Sequence, residues 1–99
     1  MGDDRPYYEG LLGSVEALYG EELAWQEAHW GELDEFMRSE YLGVTLVDAD
    51  RRLGALQEAA DAGTLPEDLV GRVRSVEALV REAQPRVARL RDLHHREAA

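Results

Sequence analysis

Apolar positions recur with helical spacing along the chain, and the clearest repeat lies towards its C-terminus. Side chains there follow one another at intervals of four and three residues, at Leu69, Val73, Val76, Val80, Ala83, Val87, Leu90 and His94. A repeat of this kind is typical of a helix that packs one face against other helices. The pattern predicts a long helix over residues 65–97, with a bend at Pro85 on its solvent side.

A first cluster of turn-forming residues lies near the middle of the chain. Gly43 suits the left-handed residue that ends a helix, and Val44 is available for the hydrophobic contact that accompanies it. Thr45 and Asp48 have the spacing of a capping box, with Asp in place of the usual Glu. We therefore predict that a first helix over residues 5–42 ends here and that a second begins at residue 46.

A second cluster predicts where the second helix ends and the third begins. Gly63 suits the end of a helix over residues 46–62, and Thr64 with Glu67 has the spacing of another capping box. No segment shows sustained two-residue alternation, so strands are not predicted. The fold class predicted is all-α: residues 1–99 form a single domain with two long helices and one short helix.

The predicted short helix leads to an expectation about oligomers. Its apolar seam is short and comprises Leu46, Ala49, Leu53, Leu56 and Ala60. A helix half as long as its neighbours cannot cover their apolar faces, whether the third helix folds back on the second or extends from it. Because exposed apolar patches are normally interfaces, we predict a homodimer or a larger coiled-coil-like bundle.

Aromatic residues mark the part of the first helix that we expect to bind a partner. Trp and Tyr are the residue types that most often dominate interface energy. The predicted interaction surface consists of Tyr7, Tyr8, Trp25, Trp30, Phe36 and Tyr41.

The charge of the chain narrows the classes of partner. There are 21 acidic residues against 11 cationic ones, a net charge of −10. Such a charge repels phosphate, so nucleic acid is not an expected partner. The charge is uneven: residues 1–71 hold four arginines and 17 acidic residues, whereas residues 72–99 hold seven arginines and four acidic residues. This asymmetry favours packing of the first helix against the third.

Composition also bears on compartment and cofactors. The chain has no cysteine, which excludes a disulfide scaffold and a cysteine-based metal site. No apolar run approaches the roughly 20 residues that span a bilayer, so we predict no membrane association. The acidic N-terminus has no signal-peptide pattern, and a cytoplasmic location is the expectation.

One group of polar residues interrupts the apolar face of the first helix. Glu22, Gln26 and His29 lie one and two turns apart, a spacing with which a carboxylate and an imidazole can reach one metal ion. The alternatives are a buried polar layer that fixes the register of paired helices and a polar patch that binds a partner. The metal-binding alternative would make the chain a ferroxidase-like helical protein that holds iron or zinc.

A second acidic pattern has a counterpart in a known family. Glu32 and Glu35, followed by Glu58 and Asp61, resemble the Glu-x-x-Glu … Glu-x-x-Asp signature of the all-α nucleotide pyrophosphatases of the MazG kind. The resemblance covers these four residues and nothing around them. It implies that the carboxylates hold magnesium on a nucleoside triphosphate.

The favoured prediction is a non-enzymatic protein without a cofactor. We expect a small acidic helical subunit that binds itself or another protein, because the apolar and aromatic faces are its most prominent features. The metal-binding bundle, with iron, zinc or magnesium, stays open as the alternative, followed by the pyrophosphatase.

Overall fold

A computed structural model of the chain describes residues 4–98, and this part is helical with no strand, which confirms the all-α class. Three helical arms follow one another. The first arm, residues 5–32, contains α1 (Arg5–Tyr19), α2 (Glu21–His29) and a 3₁₀ turn (Trp30–Glu32); the second arm, residues 35–62, contains α3 (Glu35–Glu40), a π-helical segment (Tyr41–Thr45) and α4 (Leu46–Ala62); the third arm is α5 (Glu67–Ala98).

The first and third arms run parallel to each other. Arg5, at the start of the first arm, pairs with Asp68 at the start of the third, with a 2.7 Å distance between Arg5 Nη2 and Asp68 Oδ1. Further along both arms, Arg86 Nε donates to Glu27 Oε1 at 3.0 Å. The second pair agrees with the charge asymmetry, because it joins a carboxylate of the first arm to an arginine of the third; in the first pair the charges are reversed.

The second arm is antiparallel to the third. Ser39 Oγ, near the start of the second arm, lies 3.2 Å from Nε2 of His94, near the end of the third. Gln57 Nε2, near the end of the second, donates to Glu77 Oε2 at 3.0 Å. The third arm therefore folds back on the second, which decides between the two arrangements that the sequence left open. The bundle measures 52 × 23 × 19 Å.

The predicted boundary between the first two helices is wrong by about ten residues. The chain breaks at Leu33, which is extended with ψ 145°, and the Asp34 side chain caps the second arm by accepting a hydrogen bond from Met37 N at 2.8 Å. Gly43 lies inside the second arm, and Thr45 makes no side-chain cap. The second arm begins here because Asp34 is a favourable N-cap residue and because Glu35, in the first turn, interacts favourably with the helix dipole.

The π-helical segment carries the second arm through the residues where we predicted a turn. Its wider turn is seen where the N–H of Leu46 donates to the carbonyl of Tyr41, five residues earlier. At 1.5 Å per residue the first and second arms are each about 42 Å long and the third about 48 Å. The predicted short helix is therefore wrong, and the length mismatch on which the homodimer prediction rested does not exist.

The second junction is formed largely as predicted. Gly63 is left-handed, with φ 74°, and its N–H donates to the carbonyl of Ala60 at 3.2 Å. The N–H of Thr64 donates to the carbonyl of Ala59 at 3.0 Å, which completes a Schellman motif. The predicted capping box is not formed, because the Thr64 hydroxyl donates back to the carbonyl of Ala59 at 3.3 Å, and the third arm begins at Glu67, two residues later than predicted.

Gly20 divides the first arm into α1 and α2. Its backbone departs from helical geometry, with φ −102° and ψ −97°. A Cβ atom at this position would lie 2.6 Å from the carbonyl oxygen of Glu16, so only glycine fits. The break lets α1 and α2 follow the other two arms along different directions.

The core lies along the axis between the three arms, and it confirms the predicted seam of the third. Every apolar member of that seam from Leu69 to Leu90 is buried. The inner face of the second arm contributes Leu46, Ala49, Leu53 and Leu56, and that of the first contributes Leu12, Val15, Tyr19 and Leu23. In the described part of the chain, no helix is both long and apolar enough to cross a bilayer.

Candidate interaction surface

The six aromatic residues predicted to form an interaction surface are divided between the core and the exterior. Tyr7, Trp25 and Phe36 are exposed, whereas Tyr8 is half-buried and packs against the core. Trp30 and Tyr41 are buried, so their assignment to the surface was wrong. They became core residues because the chain turns at Leu33, which brings the two rings to the inside of the turn.

A buried arginine holds that turn together. Arg38 is 8% exposed, and its Nε donates to the carbonyl of Trp30 at 2.8 Å. Its guanidinium carbon lies 5.8 Å from the centroid of the Trp30 ring, within cation–π range. The Tyr41 ring meets Trp30 edge-to-face, and its hydroxyl donates to the carbonyl of Leu18 at 3.0 Å.

The two buried tyrosines are set in an acidic neighbourhood. Burial raises the pKa of Tyr19 above the ordinary range of a phenol, and the hydrogen bond that its hydroxyl donates to Asp50 raises this pKa further. Burial also raises the pKa of Tyr41, with the charge of Glu22 as the next cause. Both phenols are therefore hydrogen-bond donors that fasten the first arm to the second.

The three residues considered as metal ligands do not converge on one point. Gln26 is 6% exposed, and its Nε2 donates to Oε1 of Glu22 at 3.0 Å. His29 lies apart: its Nδ1 is 2.8 Å from the carbonyl oxygen of Trp25, and its ring stacks on Trp25 with centroids 4.4 Å apart. Between residues 4 and 98 the structure describes no cluster of three or more His, Asp or Glu side chains suited to hold a metal ion.

The four carboxylates of the pyrophosphatase-like pattern are far apart. Glu35 and Glu58 lie near opposite ends of the second arm, about 35 Å apart at 1.5 Å per residue. A shared magnesium site requires its oxygen ligands to lie within a few ångströms of one ion. The four carboxylates therefore do not form one site: Glu32 and Glu35 lie at the turn between the first two arms, and Glu58 and Asp61 lie at the far end of the second arm.

An exposed apolar strip lies on the outer face of the second arm, and we call it the outer strip. It comprises Phe36, Met37, Val44 and Val47, of which Phe36 is 73% exposed and Val44 61%. Val44 therefore does not make the contact that a helix-ending Gly43 would have provided. Of these four residues only Phe36 belongs to the predicted interaction surface, because the predicted helix boundary at residues 42–46 separates it from Val44 and Val47.

A groove follows the outer strip, between the first and second arms. One depression of about 510 Å³ is lined by Ser14, Leu18, Gly43, Val44, Thr45, Val47, Asp48, Arg51 and Arg52. A second of about 330 Å³ is lined by Glu22, Gln26, Phe36, Met37, Glu40, Tyr41 and Thr45. Thr45 borders both, so the two depressions are neighbours along one face of the bundle.

The groove is basic at one end and acidic at the other. Arg51 and Arg52 lie at the first end, where Arg52 pairs with Asp48 at 2.8 Å. Glu22 and Glu40 lie at the second end, beside the buried amide of Gln26. Apolar side chains separate the two ends, so the surface has the elements of an interface: an apolar centre and charged flanks.

The chain matches no protein-family model, and neither the curated proteins nor the solved structures include one with significant similarity to it. Fold and surface alone therefore define the class. It is an all-α three-helix bundle of the up-down-up kind, with an apolar groove on one face.

Proposed function

We propose that this chain is a non-enzymatic subunit that self-associates, and that the outer strip is the surface it uses. The observation that carries the proposal is the exposure of Phe36, Met37, Val44 and Val47 on one side of a single arm. Contiguous apolar surface in water costs free energy, and covering it with a second protein surface recovers that free energy.

The structural reason to propose self-association differs from the one on which the sequence-based prediction rested. Two of the six aromatic residues first assigned to the interface, Trp30 and Tyr41, are part of the core. The outer strip replaces them, because its side chains have no apolar neighbours to pack against on their outer side. Self-association thus rests on the unused outer face of the second arm instead of on arms of unequal length.

The positions of the acidic residues also favour a binding role. Catalysis by carboxylates requires them to converge on a metal ion or a reacting atom. Glu35 and Glu58 lie near opposite ends of the second arm, and Glu22 is engaged by the buried Gln26. The groove between the first two arms offers apolar contact with charged flanks, which suits a protein surface.

Sedimentation equilibrium at micromolar concentration tests this proposal. The wild-type chain is expected to form a stable oligomer, and the double variant Val44→Ser/Val47→Ser is expected to dissociate to a folded monomer. The matched control is Leu93→Ser, which changes an exposed leucine of the third arm outside the groove and is expected to leave the oligomer intact.

Circular dichroism distinguishes dissociation from unfolding. Both substituted valines are exposed, so the helix content of the variant is expected to equal that of the wild type. A wild-type chain that remains monomeric at micromolar concentration would contradict the proposal.

A further inference from the structure

The outer face of the second arm carries a seam that is complementary to itself when reversed. Its positions lie three and four residues apart, as in a coiled coil: Met37, Glu40, Val44, Val47, Arg51 and Gly54. We propose that a second copy of the chain docks on this seam with its second arm antiparallel, around a two-fold axis between Val44 and Val47. This inference rests on the proposed function and specifies the partner and its register.

Each pair that this axis creates joins complementary side chains. Val44 of one copy meets Val47 of the other at the centre, where two apolar side chains exclude water. One helical turn further out, Glu40 meets Arg51, which is a pair of opposite charges. At each end Met37 meets Gly54, a large side chain against a position where even a Cβ atom would have no neighbour within 4 Å.

The structure places these residues along one groove. Met37 and Glu40 line its acidic depression, and Val44, Val47 and Arg51 line the neighbouring one. The π-helical segment lies at the centre of the seam and extends from Tyr41 to Thr45. Five of the six seam residues line the two depressions, which meet at Thr45 in the π-helical segment, and Gly54 lies beyond them on the same arm.

The charged members of the seam are free to pair between copies. Among the ion pairs of the described residues, none includes Glu40 or Arg51. Both side chains are exposed. An exposed charge gains little from a neighbour in water, but a pair of opposite charges brought together at an interface fixes the orientation of the partners.

A buried acceptor in the acidic depression adds a second reason to place an arginine there. Oε1 of Gln26 is buried and has no hydrogen-bond partner, although the side chain lines the depression that holds Glu22 and Glu40. A guanidinium carries five N–H donors in a fixed fork. Because Oε1 exposes no surface, Arg51 of the second copy donates to it only after the Gln26 side chain turns towards the depression; without that movement Arg51 donates to Glu40 alone.

Charge also selects the antiparallel arrangement over a parallel one. In a parallel pair of second arms, Glu40 would face Glu40 and Arg51 would face Arg51, and like charges across an interface are unfavourable. In the antiparallel pair, Glu40 of each copy faces Arg51 of the other, which gives one pair of opposite charges on either side of the axis. Such an interface closes as a dimer with two-fold symmetry.

Reversing the two charges separately and then mixing the variants tests the register. Glu40→Arg and Arg51→Glu are each expected to weaken the homodimer at least about tenfold in dissociation constant, because each substitution puts two like-charge pairs into it. An equimolar mixture of the two variants is expected to form a heterodimer of nearly wild-type affinity, because both of its pairs are again opposite in charge. Sedimentation velocity measures the dissociation constants of the two variant homodimers and of the heterodimer.

The matched controls reverse charges that lie outside the seam. Glu58→Arg and Arg81→Glu change exposed residues and are expected to leave the dissociation constant within about threefold of wild type. A wild-type monomer would overturn both this inference and the proposed function. A stable wild-type oligomer that neither Glu40→Arg nor Arg51→Glu weakens, or a mixture that fails to associate, would overturn the register alone.

Disulfide trapping gives an independent measurement of the same register. The chain has no cysteine, so Met37→Cys and Gly54→Cys introduce single thiols. Under mild oxidation a mixture of the two variants is expected to give a disulfide-linked heterodimer in high yield. Met37→Cys alone is expected to give little, because the two copies of residue 37 lie about 25 Å apart across the axis at 1.5 Å per residue. The reverse result would show a parallel pair.

Discussion

The second and third arms differ in how many of their faces are apolar. The third arm buries one seam from Leu69 to Leu90, and its opposite face is dominated by charged and small side chains. The second arm buries its inner face equally well, from Leu46 to Ala59, but keeps an apolar strip on its outer face. Folding covers the apolar face of the third arm, whereas it leaves one of the two apolar faces of the second arm exposed.

The second arm is irregular near its start, whereas the third is not. There the π-helical segment Tyr41–Thr45 widens the helix, and the buried Arg38 fills the turn that precedes it. The third arm runs as a single α-helix from Glu67 to Ala98, even through Pro85. π-Helical segments within α-helices occur frequently at functional sites, which agrees with the outer strip lying on this arm.

Truncating one apolar side chain on each type of face is expected to show the largest contrast between them. Leu90→Ala removes a buried side chain of the third arm and is expected to lower the free energy of unfolding by about 2–5 kcal/mol. Val44→Ala, on the outer strip, is expected to change the free energy of unfolding of the monomeric chain by less than about 0.5 kcal/mol. Urea denaturation at a concentration where the chain is monomeric measures both. Equal losses would mean that the outer face is also part of the core.

Removing the buried guanidinium of Arg38 tests how much its hydrogen bond to the Trp30 carbonyl stabilises the turn. The described residues of the third arm include no buried arginine. Arg38→Met keeps much of the apolar stem but leaves the carbonyl of Trp30 without this donor. The Trp30 carbonyl keeps the N–H of Leu33, 3.3 Å away, so we expect a loss of about 1.5–3 kcal/mol in the free energy of unfolding, the range for a hydrogen bond made by a charged group. The control is Arg81→Met on the exposed face of the third arm. A loss no larger than that of the control would show that Arg38 only fills space.

The smallest expected effect is the contribution of the Arg86–Glu27 ion pair, between the first and third arms, to the free energy of unfolding. The guanidinium of Arg86 lowers the pKa of Glu27, mainly through its hydrogen bonds to that carboxylate. A carboxylate with a lowered pKa stabilises the fold above the ordinary glutamate pKa of about 4.3, and this contribution is lost as the pH falls through the lowered value. Because the pair is partly exposed, its contribution is at most about 1 kcal/mol.

Acid titration of stability in two variants measures this contribution. Arg86→Gln is expected to lower stability at neutral pH and to reduce the loss of stability on acidification. Arg81→Gln, which removes an exposed arginine of the same arm, is expected to leave the pH dependence as in the wild type. An unchanged acid profile in Arg86→Gln would show that the Glu27 contact contributes nothing in solution.

The third arm could be predicted from the sequence because its signals were local and agreed with one another. The four-three spacing gave its inner face, and Gly63 gave the left-handed residue at which the second arm ends. Both signals depend on backbone conformation and helical periodicity, which neighbouring residues specify without reference to the rest of the fold.

The start of the second arm could not be predicted in the same way. Leu33 and Asp34 interrupt the helix, yet apolar residues continue with helical spacing on both sides of them. Gly43 offered a familiar helix-ending signal but lies within the π-helical segment. The choice between the two breaks depends on whether Trp30 and Tyr41 are buried together, which is a long-range contact and not a property of either segment.

The surface was predictable only in part for the same reason. Tyr7, Trp25 and Phe36 are exposed as expected, but Trp30 and Tyr41 are not. An aromatic residue in the sequence marks a side chain that gains much free energy when it is buried. It does not say whether the burial occurs within the chain or against a partner.

The sequence by itself determined that this protein is helical, where the third arm begins and ends, and which face of that arm is buried. Helical propensity, capping residues and a regular repeat act over a few turns, so they are readable from the order of residues. Only the tertiary structure decided that the second arm is as long as the first and that one of its apolar faces remains exposed. Those outcomes depend on which side chains the folded chain brings together at its turn, and no local pattern specifies that.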